Sequence, residues 1–153
     1  MWRRWSLNRF DQQRLEAATA EKRRGRLSAG VGLVVFDDYE RIADEDWLLL
    51  DSITDRNYAD LSALAFGLER ACDGDIIYLS SDYCVDGFNE WLDGWKRRNW
   101  RKSNKKPIAH QDLWELVDKR SADKQVEVRK AAACSAGRDA AYRYAVAVAN
   151  GQL

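Results

Sequence analysis

The run "DIIYLSS", Asp75–Ser81, constrains this chain more than any other stretch. Its apolar core, Ile76 to Leu79, lacks the alternation of a half-exposed strand, so it reads as a β-strand covered on both faces. Such a strand needs structure packed above the sheet and below it. A chain of 153 residues is one domain's worth and can bury a real core, so a single domain over 1–153 is expected.

The neighbouring segments supply the other layers. "VGLVVFDDYE" (Val31–Glu40) is rich in β-branched residues and predicts a strand. "WLLLDS" (Trp47–Ser52) predicts its hairpin partner across the acidic turn "RIADED". "ADLSALAFGLERA" places Leu61, Leu64, Ala65 and Leu68 at i, i+3, i+4 and i+7, a helix with one buried stripe. Phe88, Trp91, Leu92 and Trp95 share one helical face, as do Leu113, Leu116 and Val117. "KQVEVRK" alternates as a strand, and a last helix from about Arg138 aligns Ala141, Tyr144, Ala145 and Val148. Strands come first and helices then interleave with strands, which argues an α/β fold with a mixed sheet and helices packed on it. Near the N-terminus, "WSLNRF" predicts a strand and "QQRLEAATAEKRR" a helix.

The net charge is zero, but the charges are segregated. Met1–Arg26 carries eight bases and three acids, whereas Leu27–Asp93 carries three bases and sixteen acids. Trp95–Lys106 carries seven bases and no acid. Local charge of this kind can meet a polyanion even when the whole chain is neutral. The same run can also be a solvated helix face whose long stems cover apolar surface. Cys72, Cys84 and Cys134 show no CxxC spacing, so reduced free thiols and a cytoplasmic location are expected. No apolar run approaches a membrane span, and "MWRRW" has no signal-peptide core behind it, so no membrane partner is expected.

Four blocks together resemble a known family. "GWKRRNWRKSNKKPIAHQDLW" (Gly94–Trp114) is similar, nearly residue for residue, to the basic protrusion and following helix of bacterial type 1 ribonuclease H. "LSSDY", "TDRNYADLSALAFGLE" and "RDAAYRYAVAVA" resemble that family's strand-end block, first-helix block and last helix. The resemblance runs from roughly Gly30 to Asn150, and residues 1–29 diverge from the pattern. It implies a ribonuclease H-like five-stranded mixed sheet, order 3-2-1-4-5, flanked by helices. It also implies cleavage of the RNA strand of RNA–DNA hybrids by a monomer, with two Mg²⁺ or Mn²⁺ ions held by four carboxylates. Two ions about 3.5–4 Å apart can activate the attacking water and stabilise the leaving oxygen. Hard ions of this kind take oxygen ligands.

The resemblance carries the acids over one by one. Asp82 matches the strand-end Asp, and Asp139 matches the Asp that opens the last helix. Asp60 stands where the family has Glu, one methylene longer. The fourth acid belongs to a first-strand "TDGS" that this chain lacks, and Asp11 is the candidate in the expected order. Each acid also has a structural reading. Asp60 and Asp139 suit a helix's first turn, Asp82 suits a helix cap, and Asp11 suits the surface. For nucleic acid, the resemblance implies contacts from Lys96, Arg97, Arg98, Trp100, Arg101, Lys102, Lys105 and Lys106, with Trp91 and Trp95 mainly in the core. Arg56 and Asn57 stand where the family has an Asn pair that meets the minor groove and 2′-hydroxyls. The family's His before the last Asp is missing, and His110 is expected on the solvated surface. Two function classes follow: an active ribonuclease H, or a catalytically impaired module of that fold that binds hybrid or duplex.

Overall fold

The computed structural model describes residues 12–132 and 135–153. The expected strand "WSLNRF", Asp11 and Cys134 lie outside them. The chain runs β1 (Arg14–Arg24), β2 (Arg26–Phe36), β3 (Ile42–Leu50), α1 (Arg56–Arg70), β4 (Ile76–Leu79), α2 (Asp82–Asp86), a π-helical turn (Gly87–Trp91), α3 (Leu92–Arg97), α4 (Gln111–Ser121), β5 (Glu127–Lys130) and α5 (Ala136–Ala149). One five-stranded sheet has the order β3-β2-β1-β4-β5, as the resemblance implies. β1, β2 and β3 are antiparallel neighbours, while β4 lies parallel to both β1 and β5.

The expected helix over "QQRLEAATAEKRR" is instead β1, the middle strand of the sheet. Leu, Glu, Ala and Lys favour a helix locally, but propensity is a weak prior that tertiary pairing overrides. Here β1 pairs along its full length with β2 on one side and joins β4 on the other. Gly25, at φ +79°, makes the reversal that puts Arg24 opposite Arg26. The other strand limits also move. β2 starts five residues before the expected Val31, because its pairing with β1 extends down to Arg26. It ends at Phe36, where the Asp37 carboxylate accepts from the amides of Tyr39 and Arg41 and turns the chain. β3 starts at Ile42, so most of the expected acidic turn is strand. As an edge strand, β3 can carry these acids: Glu45 accepts from the Tyr144 hydroxyl of α5, while Asp44 and Asp46 bind Arg70.

The two sheet faces are covered in different ways. On one, Leu61, Leu64 and Leu68 of α1 join Leu15, Val31, Leu33 and Ile77 in the main core, together with Trp114 and Val117 of α4. On the other, α5 packs with its backbone directly against β2. A Cβ at Gly30 would sit 2.1 Å from the Ala145 carbonyl oxygen, and one at Gly32 would sit 2.0 Å from that of Ala141. Small residues on both sides therefore let helix and strand backbones meet. Gly87 plays a similar part, since a Cβ there would lie 2.4 Å from the Trp114 ring. Trp114 is fully buried, donates its indole N–H to the Tyr83 hydroxyl at 2.9 Å and stacks edge-on with Trp95. β4 is buried between β1 and β5, as expected. The buried Asp75 before it accepts from the amides of Gln13 and Cys72, which ties the start of β1 to the start of β4.

Candidate functional site

A cavity of about 60 Å³ opens at the far ends of the parallel strands, between the first turns of α1 and α5. Thr19, Arg56, Asp60, Ser80, Ser81 and Arg138 give it a polar lining, over a floor of Ala17, Ala18, Ala63 and Leu79. Each polar group arrives from a different element. The parallel register, Glu16 opposite Tyr78, carries β1 on to Thr19 where β4 ends in Ser80 and Ser81. Asp55 caps α1 by accepting from the Tyr58 amide at 2.8 Å, which sets the phase of the helix. Arg56 and Asp60, four residues apart, then share one side of it. Ser135 caps α5 by accepting from the Arg138 amide at 3.1 Å. The close seat of Gly137 on Glu16 fixes that turn against β1, because a Cβ at Gly137 would lie 2.7 Å from the Glu16 Cγ.

The bonds inside the cavity settle its charge. The Thr19 hydroxyl donates to Asp60 at 2.6 Å, and the Arg56 guanidinium lies 3.4 Å from the same carboxylate. Arg138 Nε donates to the Ser80 hydroxyl at 2.8 Å. Among the described residues, one carboxylate therefore shares the cavity with two guanidinium groups, and Asp60 is already engaged. Below the cavity, the Glu16 carboxyl is 6% exposed and bonded to Arg14 at 3.1 Å. Its Oε1 has no partner among the described residues. Burial pushes this carboxyl above its usual range, against the pull of Arg14.

The structure separates the expected acids. Asp60 lines the cavity. Asp82 opens α2 and is not part of the cavity lining: it is 78% exposed and paired with Lys130 at 2.8 Å. Asp139 lies in the first turn of α5 and is exposed, while its neighbour Arg138 faces inward. Asp11 lies outside the described residues. The next residues, Gln12 and Gln13, sit at the beginning of β1 against Gly74 and Asp75, about 23 Å of strand away from Thr19. Among the described residues, no group of three or more His, Cys, Asp or Glu is placed to hold a metal ion. The family generally uses divalent metal ions, and the donor set in this cavity does not fit two of them.

Thr19 and Arg138 were missed from the sequence. Thr19 lay inside the expected helix. Arg138 immediately precedes Asp139, and successive helical residues point about 100° apart, so only the packing of α5 reveals which one faces the cavity. The hint that was available is the composition of "SAGRDAA", whose small residues flank a single large cation.

The basic run forms a small hairpin after α3. Arg101 bridges Pro107, and the Lys102 amide bonds the Lys106 carbonyl. Asn99 and Trp100 take left-handed backbone conformations in succession. The expected contacts divide accordingly. Arg101 donates to the Lys105 carbonyl at 3.0 Å, and Lys96 pairs with Asp118 at 2.9 Å. Arg98 reaches the Arg101 carbonyl at 3.4 Å. Trp100 packs against the main core and is partly buried. Arg97, Lys102, Lys105 and Lys106 are exposed, as are Arg56 and Asn57 at the head of α1. His110, expected on the solvated surface, instead bonds the Asp55 carboxylate at 3.1 Å and meets the Tyr58 ring edge-on. It thereby ties the base of the hairpin to the start of α1.

Comparison with known proteins fits this architecture. The sequence model of the RNase H family matches residues 17–143. A curated Ribonuclease H from Dechloromonas aromatica is 40% identical over 67 residues, 42% of this chain and 45% of that protein. The chain spans about half the length of the curated relatives it matches. Among solved structures, a foamy viral protease–reverse transcriptase in complex with double-stranded DNA aligns with TM-score 0.79 at 20% identity, covering 92% of this chain and 94% of that one. The same viral enzyme has also been solved with an RNA/DNA hybrid, with TM-score 0.73 and 20% identity over 92% of this chain and 20% of that one. LC9-RNase H1, a type 1 enzyme with the type 2 active-site motif, aligns with TM-score 0.77 at 23% identity, covering 93% of this chain and 74% of that one. Family match and sheet order agree, and the chain belongs to the RNase H family, whose curated members matched here are ribonucleases and thus hydrolases.

Proposed function

We propose that this chain is a ribonuclease H of low turnover, which grips RNA–DNA hybrids firmly and hydrolyses their RNA strand slowly, as a monomer in the cytoplasm. The observation that carries the reading is the tie between the basic hairpin and the head of α1 through His110 and Asp55. It joins the segment that follows the exposed Arg97, Lys102, Lys105 and Lys106 to the head of α1, which carries the exposed Arg56 and Asn57. Cations of this kind bind backbone phosphates without regard to sequence and gain affinity by releasing counterions. Asn57 can reach 2′-hydroxyls, which distinguish RNA from DNA. Turnover is slow because Asp82 is held by Lys130, Asp139 stands on the surface, and Arg138 lines the cavity.

One observation also favours a second reading, binding without cleavage: Arg138 lines the same cavity as Asp60, where cations would be needed. A labelled hybrid incubated with purified protein, with and without Mg²⁺ or Mn²⁺, tests both. Slow cleavage of the RNA strand supports the first reading. Binding with no cleavage under either metal supports the second. Failure to bind hybrid refutes both.

A further inference from the structure

We propose that the cavity lined by Thr19, Arg56, Asp60, Ser80, Ser81 and Arg138 takes a phosphate group directly, seated on Arg138, in the position where the family uses metal ions. The inference deepens the second reading, hybrid binding without cleavage, on which its nucleic-acid form rests. Among the described residues, the only carboxylate that lines the cavity is Asp60, and it is already engaged by the Thr19 hydroxyl and Arg56. A divalent cation would have to displace Arg56 and then sit beside the Arg138 guanidinium. An anion meets the opposite situation. Among the described residues, the formal charge of the lining, two guanidinium groups against one carboxylate, is net positive.

The donors also suit an anion. Arg138 spends Nε on Ser80, and its two terminal nitrogens have no partner among the described residues. Those two nitrogens present the planar donor edge that matches phosphate oxygens. Ser80 accepts from Arg138 through its hydroxyl oxygen, so its own hydroxyl proton remains to be donated. The apolar floor of Ala17, Ala18, Ala63 and Leu79 keeps the local dielectric low and strengthens each of these bonds. A cavity of about 60 Å³ holds roughly four waters, which a phosphate entering from the mouth would displace.

Two probes separate the possible sources of the phosphate. The first is inorganic phosphate, added to the full chain in a chelator at constant ionic strength and read by thermal melting. The second is a short RNA–DNA hybrid, titrated in chelator over a range of salt. Phosphate should raise the melting temperature of the wild type but not of Arg138→Ala. Hybrid affinity should fall roughly tenfold in Arg138→Ala, the typical loss for a charge-assisted hydrogen bond. Its salt slope should flatten by about 0.9, the value for one phosphate contact. Asp60→Asn removes the repelling charge and should strengthen phosphate binding, and this variant keeps the test alive if Arg138→Ala does not fold. The inference is overturned if magnesium chloride alone gives an Asp60-dependent rise in melting temperature. It is equally overturned if phosphate protects Arg138→Ala as it does the wild type, or if Asp60→Asn weakens phosphate binding. If the wild type ignores hybrid while phosphate protects it through Arg138, the hybrid reading falls and the cavity assignment stands.

Discussion

Gly32→Ala should be among the most damaging single methyl additions this fold can receive. The added Cβ would lie 2.0 Å from the Ala141 carbonyl oxygen and 2.8 Å from the Ala145 amide nitrogen, both backbone atoms of α5. Ordinary contact begins at 3.4 Å, so the helix would have to retreat by about 1.4 Å. No side chain can turn aside to absorb that shift. Overpacking of a close interface costs typically 1–3 kcal/mol, and a rigid backbone neighbour argues for about 3 kcal/mol. For a chain of this length that corresponds to a fall of about 6–12 °C in melting temperature. The displacement would also draw Arg138 away from Ser80, so cavity and stability should be lost together. Gly67→Ala is the internal control. Its Cβ would meet Ile77 at 3.5 Å, an ordinary contact, inside helix α1. Glycine in a helix interior costs roughly 0.5–1 kcal/mol relative to alanine, so this variant should be more stable than wild type. Thermal and urea melts of both variants check the argument. A Gly32→Ala protein that melts within about 2 °C of wild type would refute the backbone-to-backbone seating of α5 on β2.

Glu16→Gln should flatten the pH dependence of stability. Burial raises the Glu16 carboxyl above its ordinary value of 4.5, so above that pH the folded state holds a proton that the unfolded state has released. Stability therefore falls as pH rises through that window, and melts across mildly acid pH should show the slope in wild type and lose it in the variant. Tyr83→Phe leaves the buried Trp114 indole N–H without its acceptor and should cost about 1–3 kcal/mol, read by urea denaturation with tryptophan fluorescence; an unchanged midpoint would mean that water replaces the hydroxyl. Joint Ala substitution at the exposed Arg97, Lys102, Lys105 and Lys106 should weaken hybrid binding across all sequences and flatten the salt slope by about 0.9 for each lost phosphate contact. A filter-binding series over salt checks this, and an unchanged slope would remove the hairpin from the interface.

Much of the architecture was legible because its signals are local. β2 and β3 show in β-branched and apolar runs, α1 and α4 in stripes at helical spacing, and β4 in an unbroken apolar core. These patterns report burial directly, since the period of the apolar residues matches the period of the backbone. β1 was not legible. Its residues favour a helix in isolation, and only hydrogen bonding to β2 and β4 on either side makes them a strand. That misplacement hid Thr19. The candidate site depended still more on tertiary structure. The sequence supplied Asp60, Asp82 and Asp139, but whether carboxylates converge is a matter of where helices start and how they are rotated. The Lys130 side chain, reaching from β5, takes Asp82. The glycines of β2 and Gly137 seat α5 so that Arg138, not Asp139, faces Asp60. A rotation of one residue on one helix exchanges an anion for a cation in the cavity, and no periodicity along the chain encodes it, because the contacts that set it join residues more than a hundred positions apart.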